Sequence, residues 1–240
     1  MTASDASADA GTRPYWQELL PTRPPSLRPP YTDSYPVQLP DGRWLVLPLR
    51  PPPSLGSRKA TASLIVSQAS FAVEEALIAA MTGLARPLGA EVVVGLPTLG
   101  LGLARGIAGA LGHPNYVAMG YSRKFWYRED LGVPVRSITS PGDEKKLYID
   151  PRLLPQIAGR RVLVVDDAIS GGATAAAAIP FLKRLGAEPL ALVVAMRQSR
   201  RWVPALARIG EAWPDRVLGV FDTPLFEPVK GGWMPSEENP

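Results

Sequence analysis

The chain contains no cysteine and a single histidine. Without cysteine it can form no disulfide, no cysteine-ligated zinc site and no thiol nucleophile. His113 stands beside Pro114 with no acid nearby in sequence, so a histidine-centred triad or a histidine-rich metal site is not expected. Long apolar runs are also missing, because the stretch 71–81 is short and carries two glutamates. A stretch of this kind is too short and too charged to span a bilayer.

The first residues lack a basic segment followed by an apolar one, so we expect no secretory signal, no membrane attachment and a cytoplasmic location. The 240 residues are 46% hydrophobic and 20% charged, which is typical of a globular protein of one domain with additions. The formal net charge is +4. A mildly basic surface suits an anionic ligand and also weak contact with nucleic acid. We expect the anionic ligand.

Proline interrupts the first thirty residues repeatedly, and this predicts an irregular arm rather than a continuous helix or central strand. A short helix over 15–20 is expected to dock through Trp16 and Leu19. Two strand-like runs follow, 35–39 and 43–49, on either side of a Pro-Asp-Gly turn. This pattern is typical of a β-hairpin.

After a further strand-like run at 60–67, the sequence alternates between helices and apolar strands from residue 70. The predicted strands cover 60–67, 91–97, 115–120, 161–167, 190–196 and 216–222, and the predicted helices cover 71–86, 100–111, 173–185 and 203–209. Residues 121–150 are predicted to form a long polar loop. The alternation indicates an α/β fold with a doubly wound, mainly parallel sheet flanked by helices. We therefore divide the chain into an arm with a hairpin (1–56), a core (57–222) and a tail (223–240).

The segment from Val162 to Thr174 carries the clearest chemical signal. An apolar run ends in the acid pair Asp166-Asp167, and a loop of small residues then opens a helix. The loop consists of Ala168, Ile169, Ser170, Gly171, Gly172, Ala173 and Thr174. A helix N-terminus presents unpaired amides to an anion, and glycines let the backbone approach it. The carboxylates suit sugar hydroxyls or a bound Mg²⁺, so the segment indicates a sugar-phosphate site.

This segment, VLVVDDAISGGAT, resembles the motif by which type I phosphoribosyltransferases bind 5-phosphoribosyl-1-pyrophosphate (PRPP). The resemblance implies that Asp166 and Asp167 contact the ribose hydroxyls. It also implies that the loop 170–174 holds the 5-phosphate, with Ala168 in the same PRPP site. Ser170 stands where hypoxanthine/guanine-type members carry an acid, and this favours the adenine or orotate types. We take the adenine type as the nearest.

Two departures from the adenine-type pattern lie in the phosphate loop. Gly171 stands where threonine is frequent, and Ala173 stands where glycine is frequent. Both residues keep their backbone amides available. They put only one hydroxyl contact in doubt.

Two further segments fit the same family. VVVGLPTLGLGLA resembles the pyrophosphate loop, and this implies that Thr98, Leu99 and Gly100 face the diphosphate, with a non-proline cis peptide near Thr98-Leu99. SRKFWYRED resembles the start of the flexible catalytic loop of adenine-type members. It implies catalytic roles for Arg123 and Lys124 at the diphosphate, with a loop over 125–147 that closes to exclude water. Taken alone, the first segment could be the ordinary start of a helix, and the second could be a basic surface loop.

The family resemblance implies a nucleotide-salvage transferase. Ribose 5-phosphate would pass from PRPP to a nitrogen of a base, with release of pyrophosphate. The cofactor would be Mg²⁺, held by Asp166 and Asp167 and partly through PRPP. Homodimers are common in the family, and a homodimer is possible here.

The base-binding hood is expected in the hairpin and the tail. Phe226 or Trp233 could stack on a planar base, although a place in the core is the alternative for both aromatics. Arg197 could contact an exocyclic oxygen. The tail loosely resembles the hood of 6-oxopurine enzymes, which conflicts with the serine at 170, so we predict a purine without naming it.

Two other functions stay open at this point. The chain could be a PRPP-binding regulator on the same fold, without transferase activity and in contact with RNA or DNA. The Arg123-Lys124 pair favours the enzyme instead. The small Gly-Gly-Ala-Thr loop would also suit the competence-type members of the fold, but the long loop at 121–150 speaks against them.

Overall fold

The computed structural model describes residues 17–52, 58–135 and 145–236. The strands are β1 (Leu19–Leu20), β2 (Ser34–Gln38), β3 (Trp44–Arg50), β4 (Ala60–Ala62), β5 (Val92–Gly95), β6 (Val117–Gly120), β7 (Gly132–Val135), β8 (Lys145–Ile149), β9 (Arg161–Ile169), β10 (Glu188–Gln198), β11 (Val217–Thr223), β12 (Leu225–Val229) and β13 (Gly232–Pro235). The helices are α1 (Phe71–Ala85), α2 (Gly100–Ala110), α3 (Leu154–Ile157), α4 (Ala173–Arg184) and α5 (Val203–Ala207). No helix in these ranges is both long enough and apolar enough to cross a membrane.

The main sheet has seven strands in the order β11-β10-β9-β5-β6-β8-β7. The first five run parallel to their neighbours, while β7 and β8 form an antiparallel edge. The run Val162–Val165 of β9 is fully buried, because helices cover both faces of a parallel sheet. The predicted doubly wound, mainly parallel α/β sheet is confirmed.

Helices pack on both faces of the main sheet. One face carries α1 and α2, whose side chains share a core with Leu163 and Val165 of β9. The other face carries α3, α4 and α5, which share a core with Val162 and Val164. Ser70 caps α1 by accepting a hydrogen bond from the amide of Val73, in agreement with the predicted helix start.

A second sheet joins the two ends of the chain. Its strands follow the order β1-β3-β4-β12-β13, and β2 pairs with β3. The predicted hairpin forms its first part. Strand β4, which we assigned to the core, also pairs with β3 here. The tail, for which we predicted no strands, supplies the antiparallel pair β12 and β13.

Two local predictions are wrong. The predicted helix at 15–20 is not helical where it is described, because Gln17 bridges to Ala69 and Leu19 pairs with Leu45 of β3. Leu19 still packs against the core, whereas Trp16 lies outside the described residues. The predicted polar loop contains the hairpin of β7 and β8, in which Leu147 is fully buried. Residues 136–144 of that loop lie outside the described ranges.

Candidate functional site

The acid pair lies at the carboxyl end of β9, between the ends of β5 and β10. The backbone amide of Asp167 donates to the Oδ1 atom of Asp166 at 2.9 Å. Burial raises the pKa of both carboxyl groups, and the neighbouring Asp167 raises the pKa of Asp166 further. Neither acid forms an ion pair within the described ranges. The pair is therefore a partly buried acidic site that a donor or cation from a ligand would stabilise.

The predicted pyrophosphate loop packs directly against this pair. The amide of Leu96 donates to the carbonyl of Val165 at 2.9 Å. A Cβ atom added at Gly100 would lie 2.7 Å from the Cα atom of Asp166 and 2.8 Å from its Oδ1 atom. Only glycine allows α2 to begin so close to the acid pair. The non-proline cis peptide is Pro97-Thr98, one bond before the expected position.

A small cavity of about 60 Å³ lies where α4 begins. It is lined by Asp166, Ala168, Ile169, Ser170, Gly172, Ala173, Thr174, Ala175 and Leu192. Gly172 precedes the helix with a φ of 77°, a conformation that L side chains rarely adopt. The cavity has about twice the volume that one water occupies in the liquid, and free amides of the first helical turn face such a position. It can hold a group the size of a phosphate.

Hydroxyl groups of the phosphate loop already have protein partners. Ser170 donates to the Oε1 atom of Gln198 at 2.6 Å and accepts from the Nη2 atom of Arg201 at 2.9 Å. Gln198 in turn donates through Nε2 to the carbonyl of Ala62 at 2.8 Å. In this arrangement the proton of Ser170 is engaged with Gln198 and is not available to a phosphate. The hydroxyl of Thr174 lies beside that of Tyr121.

Tyr121, at the end of β6, also belongs to this site. Burial raises the pKa of its phenol, and the charges of Asp166 and Asp167 raise it further. The ammonium of Lys145 lies 5.7 Å from the centre of the Tyr121 ring. No sequence pattern indicated a role for either residue.

The two predicted catalytic cations lie after β6. Arg123 forms an ion pair with Glu129 at 2.8 Å, and Glu129 also pairs with Lys146 at 2.7 Å. Lys124 is exposed and makes no ion pair within the described ranges. The structure does not bring either cation into contact with the acid pair in those ranges. Their approach to a diphosphate stays a prediction.

Arg197, a predicted base-binding residue, is held by two bonds to the carboxylate of Asp222, at 2.6 and 2.8 Å. The pair lines a cavity of about 630 Å³ that extends along the edge strand β11, from Val217 at its start to Thr223 at its end. Thr223, which is 2% exposed, lines the same cavity with a buried hydroxyl that has no hydrogen-bond partner in the described ranges. This cavity therefore combines a cation, an anion and a free hydroxyl.

The predicted stacking role of Phe226 is wrong. Phe226 has no exposed surface, and its ring packs edge-on against Tyr35 and Tyr31, at 4.9 and 6.3 Å between centres. A ring enclosed in this way cannot stack on a ligand. Trp233 is partly buried against the same core, and its backbone exchanges hydrogen bonds with Tyr31. Its stacking role stays a prediction.

The residues could hold a metal only together with a ligand. Within the described ranges, no cluster of three or more histidine, cysteine, aspartate or glutamate residues could bind a metal ion. Mg²⁺ commonly binds one or two carboxylates and completes its shell with water and substrate phosphates. Asp166 and Asp167 fit that role and do not fit a complete protein cage.

A family model described as the phosphoribosyl transferase domain matches residues 72–212, more than half of the chain. This chain belongs to the phosphoribosyl transferase domain family. The predicted membership of the type I, adenine-type branch is confirmed. The matched region contains the acid pair, the phosphate loop and the pyrophosphate loop. It leaves out the strands of the second sheet.

Curated relatives agree with this assignment. Adenine phosphoribosyltransferase of Parafrankia sp. is 32% identical over 139 residues, covering 55% of this chain and 67% of the relative. Adenine phosphoribosyltransferase of Frankia alni is 32% identical over 146 residues, covering 61% and 71%.

Solved structures share the fold. Adenine phosphoribosyltransferase of Trypanosoma brucei, in complex with AMP, pyrophosphate and ribose-5-phosphate, has a TM-score of 0.53 at 15% identity and covers 65% of this chain and 66% of that one. The Giardia lamblia enzyme complexed with 9-deazaadenine has a TM-score of 0.51 at 19% identity, covering 64% and 81%. At these identities the likeness concerns the fold alone.

Sequence reasoning missed two members of this phosphoribosyl transferase site. Gln198, the last residue of β10, and Arg201, in the turn that follows, both reach the phosphate loop. The run of arginines that follows the apolar strand, Arg200-Arg201, was a signal of a positive turn at the ligand edge of the sheet. The partner of Gln198 is a backbone carbonyl 136 residues away, which no local pattern reveals.

Proposed function

We propose that this phosphoribosyl transferase moves the 5-phosphoribosyl group of PRPP to a ring nitrogen of a purine, with adenine as the first candidate. The observation that carries the proposal is the partly buried acid pair, which has no counter-cation among the described residues and lies between a phosphate-sized cavity and the pyrophosphate loop. The relatives are named as adenine phosphoribosyltransferases, which favours the purine acceptor. Their names also favour the transferase over the regulatory alternative.

The proposed step breaks the bond between the ribose C1 atom and the diphosphate oxygen and forms a bond from C1 to the base nitrogen. Pyrophosphate leaves with the electron pair of the broken bond, and the nitrogen loses its proton to solvent. The products are a purine nucleoside 5′-monophosphate, pyrophosphate and a proton. Positive charge develops on the sugar ring and negative charge on the diphosphate, so the chain must stabilise both.

Each predicted site residue has a role in this proposal. Asp166 and Asp167 accept hydrogen bonds from the ribose hydroxyls. Backbone amides of the loop 170–174 hold the 5-phosphate, and those of the loop 98–100 face the diphosphate. Lys124 and Arg123 approach the leaving diphosphate when their loop closes, and closure excludes water that would otherwise capture the sugar.

We include Mg²⁺ in the proposal as a cofactor that arrives with PRPP. Asp166 and Asp167 would be its protein partners, directly or through the ribose hydroxyls. When bound, Mg²⁺ neutralises charge on the diphosphate and so makes it a better leaving group. The raised pKa of both acids supports this assignment, since a cation would offset the cost of ionising them.

The acceptor base is placed in the cavity lined by Arg197, Asp222 and Thr223. Its volume of about 630 Å³ lies in the range usual for small-molecule sites. The guanidinium and the carboxylate offer both donors and acceptors to the edge of a purine. We also propose that the second sheet forms the hood over the base and that the chain forms a homodimer. We propose a cytoplasmic location for the protein, together with its polyanionic donor.

The deciding experiment is a panel of bases incubated with PRPP and Mg²⁺, with pyrophosphate release as the measurement. Adenine is expected to give the fastest release, and orotate, uracil and hypoxanthine little or none. The variant Arg208→Ala, on the exposed end of α5, serves as a matched control for loss of a positive charge. Binding of PRPP without release for any base would support the regulatory alternative instead.

A further inference from the structure

One arginine beside the phosphate cavity has a charge that the protein does not balance. Arg201 is partly buried, and burial lowers the pKa of its guanidinium. It forms no ion pair within the described ranges. Its Nε atom is buried and has no hydrogen-bond partner there. A buried cation that lacks an anionic partner is costly, and such groups persist where a ligand completes them.

The turn that carries Arg201 is held tightly in place. Ser199 adopts a φ of 56°, the only positive value among the described residues other than glycine. The amide of Ser199 donates to the carbonyl of Thr223 at 2.7 Å, and the indole of Trp202 donates back to the carbonyl of Ser199 at 2.8 Å. A side chain in this backbone region is uncommon and marks a conformation that the surroundings impose.

Close packing brings this turn against the phosphate loop. A Cβ atom added at Gly172 would lie 3.1 Å from the Cβ atom of Trp202 and 2.9 Å from a methyl carbon of Leu206. The glycine therefore lets the start of α5 rest on the start of α4. This contact places the guanidinium of Arg201 within 2.9 Å of the Ser170 hydroxyl, which itself lines the phosphate-sized cavity.

The hydrogen bonds run in one direction from the guanidinium. Arg201 donates to Ser170, Ser170 donates to Gln198, and Gln198 donates to the second sheet. Since the proton of Ser170 is engaged with Gln198, the serine has no donor left for a phosphate. The positive charge behind the Ser170 side of the cavity is that of Arg201. The side chain of Ser170 lies between this guanidinium and a ligand in the cavity.

We infer that Arg201 is a binding residue for the 5-phosphate of the phosphoribosyl donor, supplying the positive charge that the loop 170–174 lacks. This inference rests on the proposed function. It adds a cation from the turn after β10 to a phosphate site otherwise made of backbone amides. A phosphate monoester dianion is the ligand group that fits, because the cavity of about 60 Å³ has the size of one phosphate.

The test measures the affinity of ribose 5-phosphate and, separately, of pyrophosphate by calorimetry. Arg201→Gln is expected to weaken ribose 5-phosphate by about 10- to 100-fold, the usual worth of a charge-assisted hydrogen bond, and pyrophosphate by less than about twofold. Arg201→Lys keeps the cation and should retain most of the affinity. Arg208→Gln is the matched control and should bind both ligands as the native protein does.

A second variant separates charge from positioning. Ser170→Ala leaves the guanidinium in place, so the inference expects a loss of ribose 5-phosphate affinity below about threefold. If Arg201 acted only by orienting Ser170, this variant would be as weak as Arg201→Gln. Thermal unfolding of every variant is recorded. Should Arg201→Gln not fold, Arg201→Met takes its place: a loss confined to ribose 5-phosphate, with affinity retained in Arg201→Lys, supports the inference, and any other result overturns it.

The outcomes distinguish this inference from the proposed function. Native protein that binds neither PRPP nor ribose 5-phosphate overturns both. Native protein that binds PRPP, with Arg201→Gln binding ribose 5-phosphate equally well, overturns the inference alone. Equal weakening of ribose 5-phosphate and pyrophosphate in Arg201→Gln also overturns it, because a 5-phosphate contact cannot act on the diphosphate.

Discussion

The site has a phosphoribosyl end, which includes Asp166, Asp167 and Arg201, and an acceptor end, which includes Arg197 and Asp222. The two ends differ in how their charges are balanced. At the phosphoribosyl end, Asp166, Asp167 and Arg201 have no ion-pair partners in the described ranges, although all are buried at least in part. At the acceptor end, Arg197 and Asp222 hold each other through two hydrogen bonds. Unbalanced buried charge has a cost that a charged ligand removes. The donor is therefore expected to bind by charge, and the base by shape and hydrogen bonding.

Removing the acid pair should have the largest effect at the phosphoribosyl end. We expect Asp166→Asn combined with Asp167→Asn to reduce PRPP affinity by at least about 100-fold, since two acceptors for ribose hydroxyls and the Mg²⁺ partners are lost together. Calorimetry with PRPP and Mg²⁺ measures this. Unchanged affinity would remove the pair from the site and with it the contrast between the two ends.

The same variant should be more stable than the native protein in metal-free buffer. The pKa values of both acids are raised in the folded state, so folding favours their protonated forms. As pH rises from about 4, the ordinary aspartate range, through those raised values, the native protein loses stability, by about 1.4 kcal/mol for each unit of pKa elevation. The variant has no such loss. Its advantage in denaturant unfolding should therefore grow with pH and then level off.

A methyl group at Gly100 should separate the pyrophosphate loop from the acid pair. Gly100→Ala is expected to lower kcat/KM by about 10- to 100-fold, because its Cβ would lie 2.7 Å from the backbone of β9 and α2 must shift. Unfolding free energy should fall by about 1–3 kcal/mol. The matched control is Gly109→Ala in the same helix, where a Cβ meets nothing within 4 Å. It should keep full activity and gain up to about 1 kcal/mol.

The phosphoribosyl end was largely predictable from sequence, because its parts lie in short continuous segments. A buried parallel strand is an apolar run, and the polar residues that follow it must lie at the ligand edge of the sheet. This placed the acid pair, the phosphate loop and the pyrophosphate loop together. Only the exact cis bond and the engagement of Ser170 differed.

The acceptor end was not predictable in the same way, since it is assembled from distant segments. The sequence left Phe226 open as a stacking residue or a core residue, and it is Tyr31 and Tyr35, almost two hundred residues earlier, that enclose it. Strands β12 and β13 were missed because prolines at 228 and 235 and short length hide a two-residue period. A hood made by pairing the two ends of a chain leaves no local signature.

The smallest of the expected effects lies at the acceptor end. Arg197→Ala should raise the KM for the base by about tenfold, the worth of one hydrogen bond to a charged group, and change the KM for PRPP by less than about twofold. The lost pair with Asp222 is partly exposed, so unfolding free energy should fall by no more than about 1 kcal/mol.

Asp222→Ala breaks the same pair but keeps the guanidinium, and Arg208→Ala controls for the loss of a positive charge. If Asp222→Ala raises the KM for the base as much as Arg197→Ala does, the pair matters as a unit. If Arg197→Ala instead weakens PRPP and the base equally, then Arg197 serves the phosphoribosyl end, and the division by charge balance between the two ends is wrong.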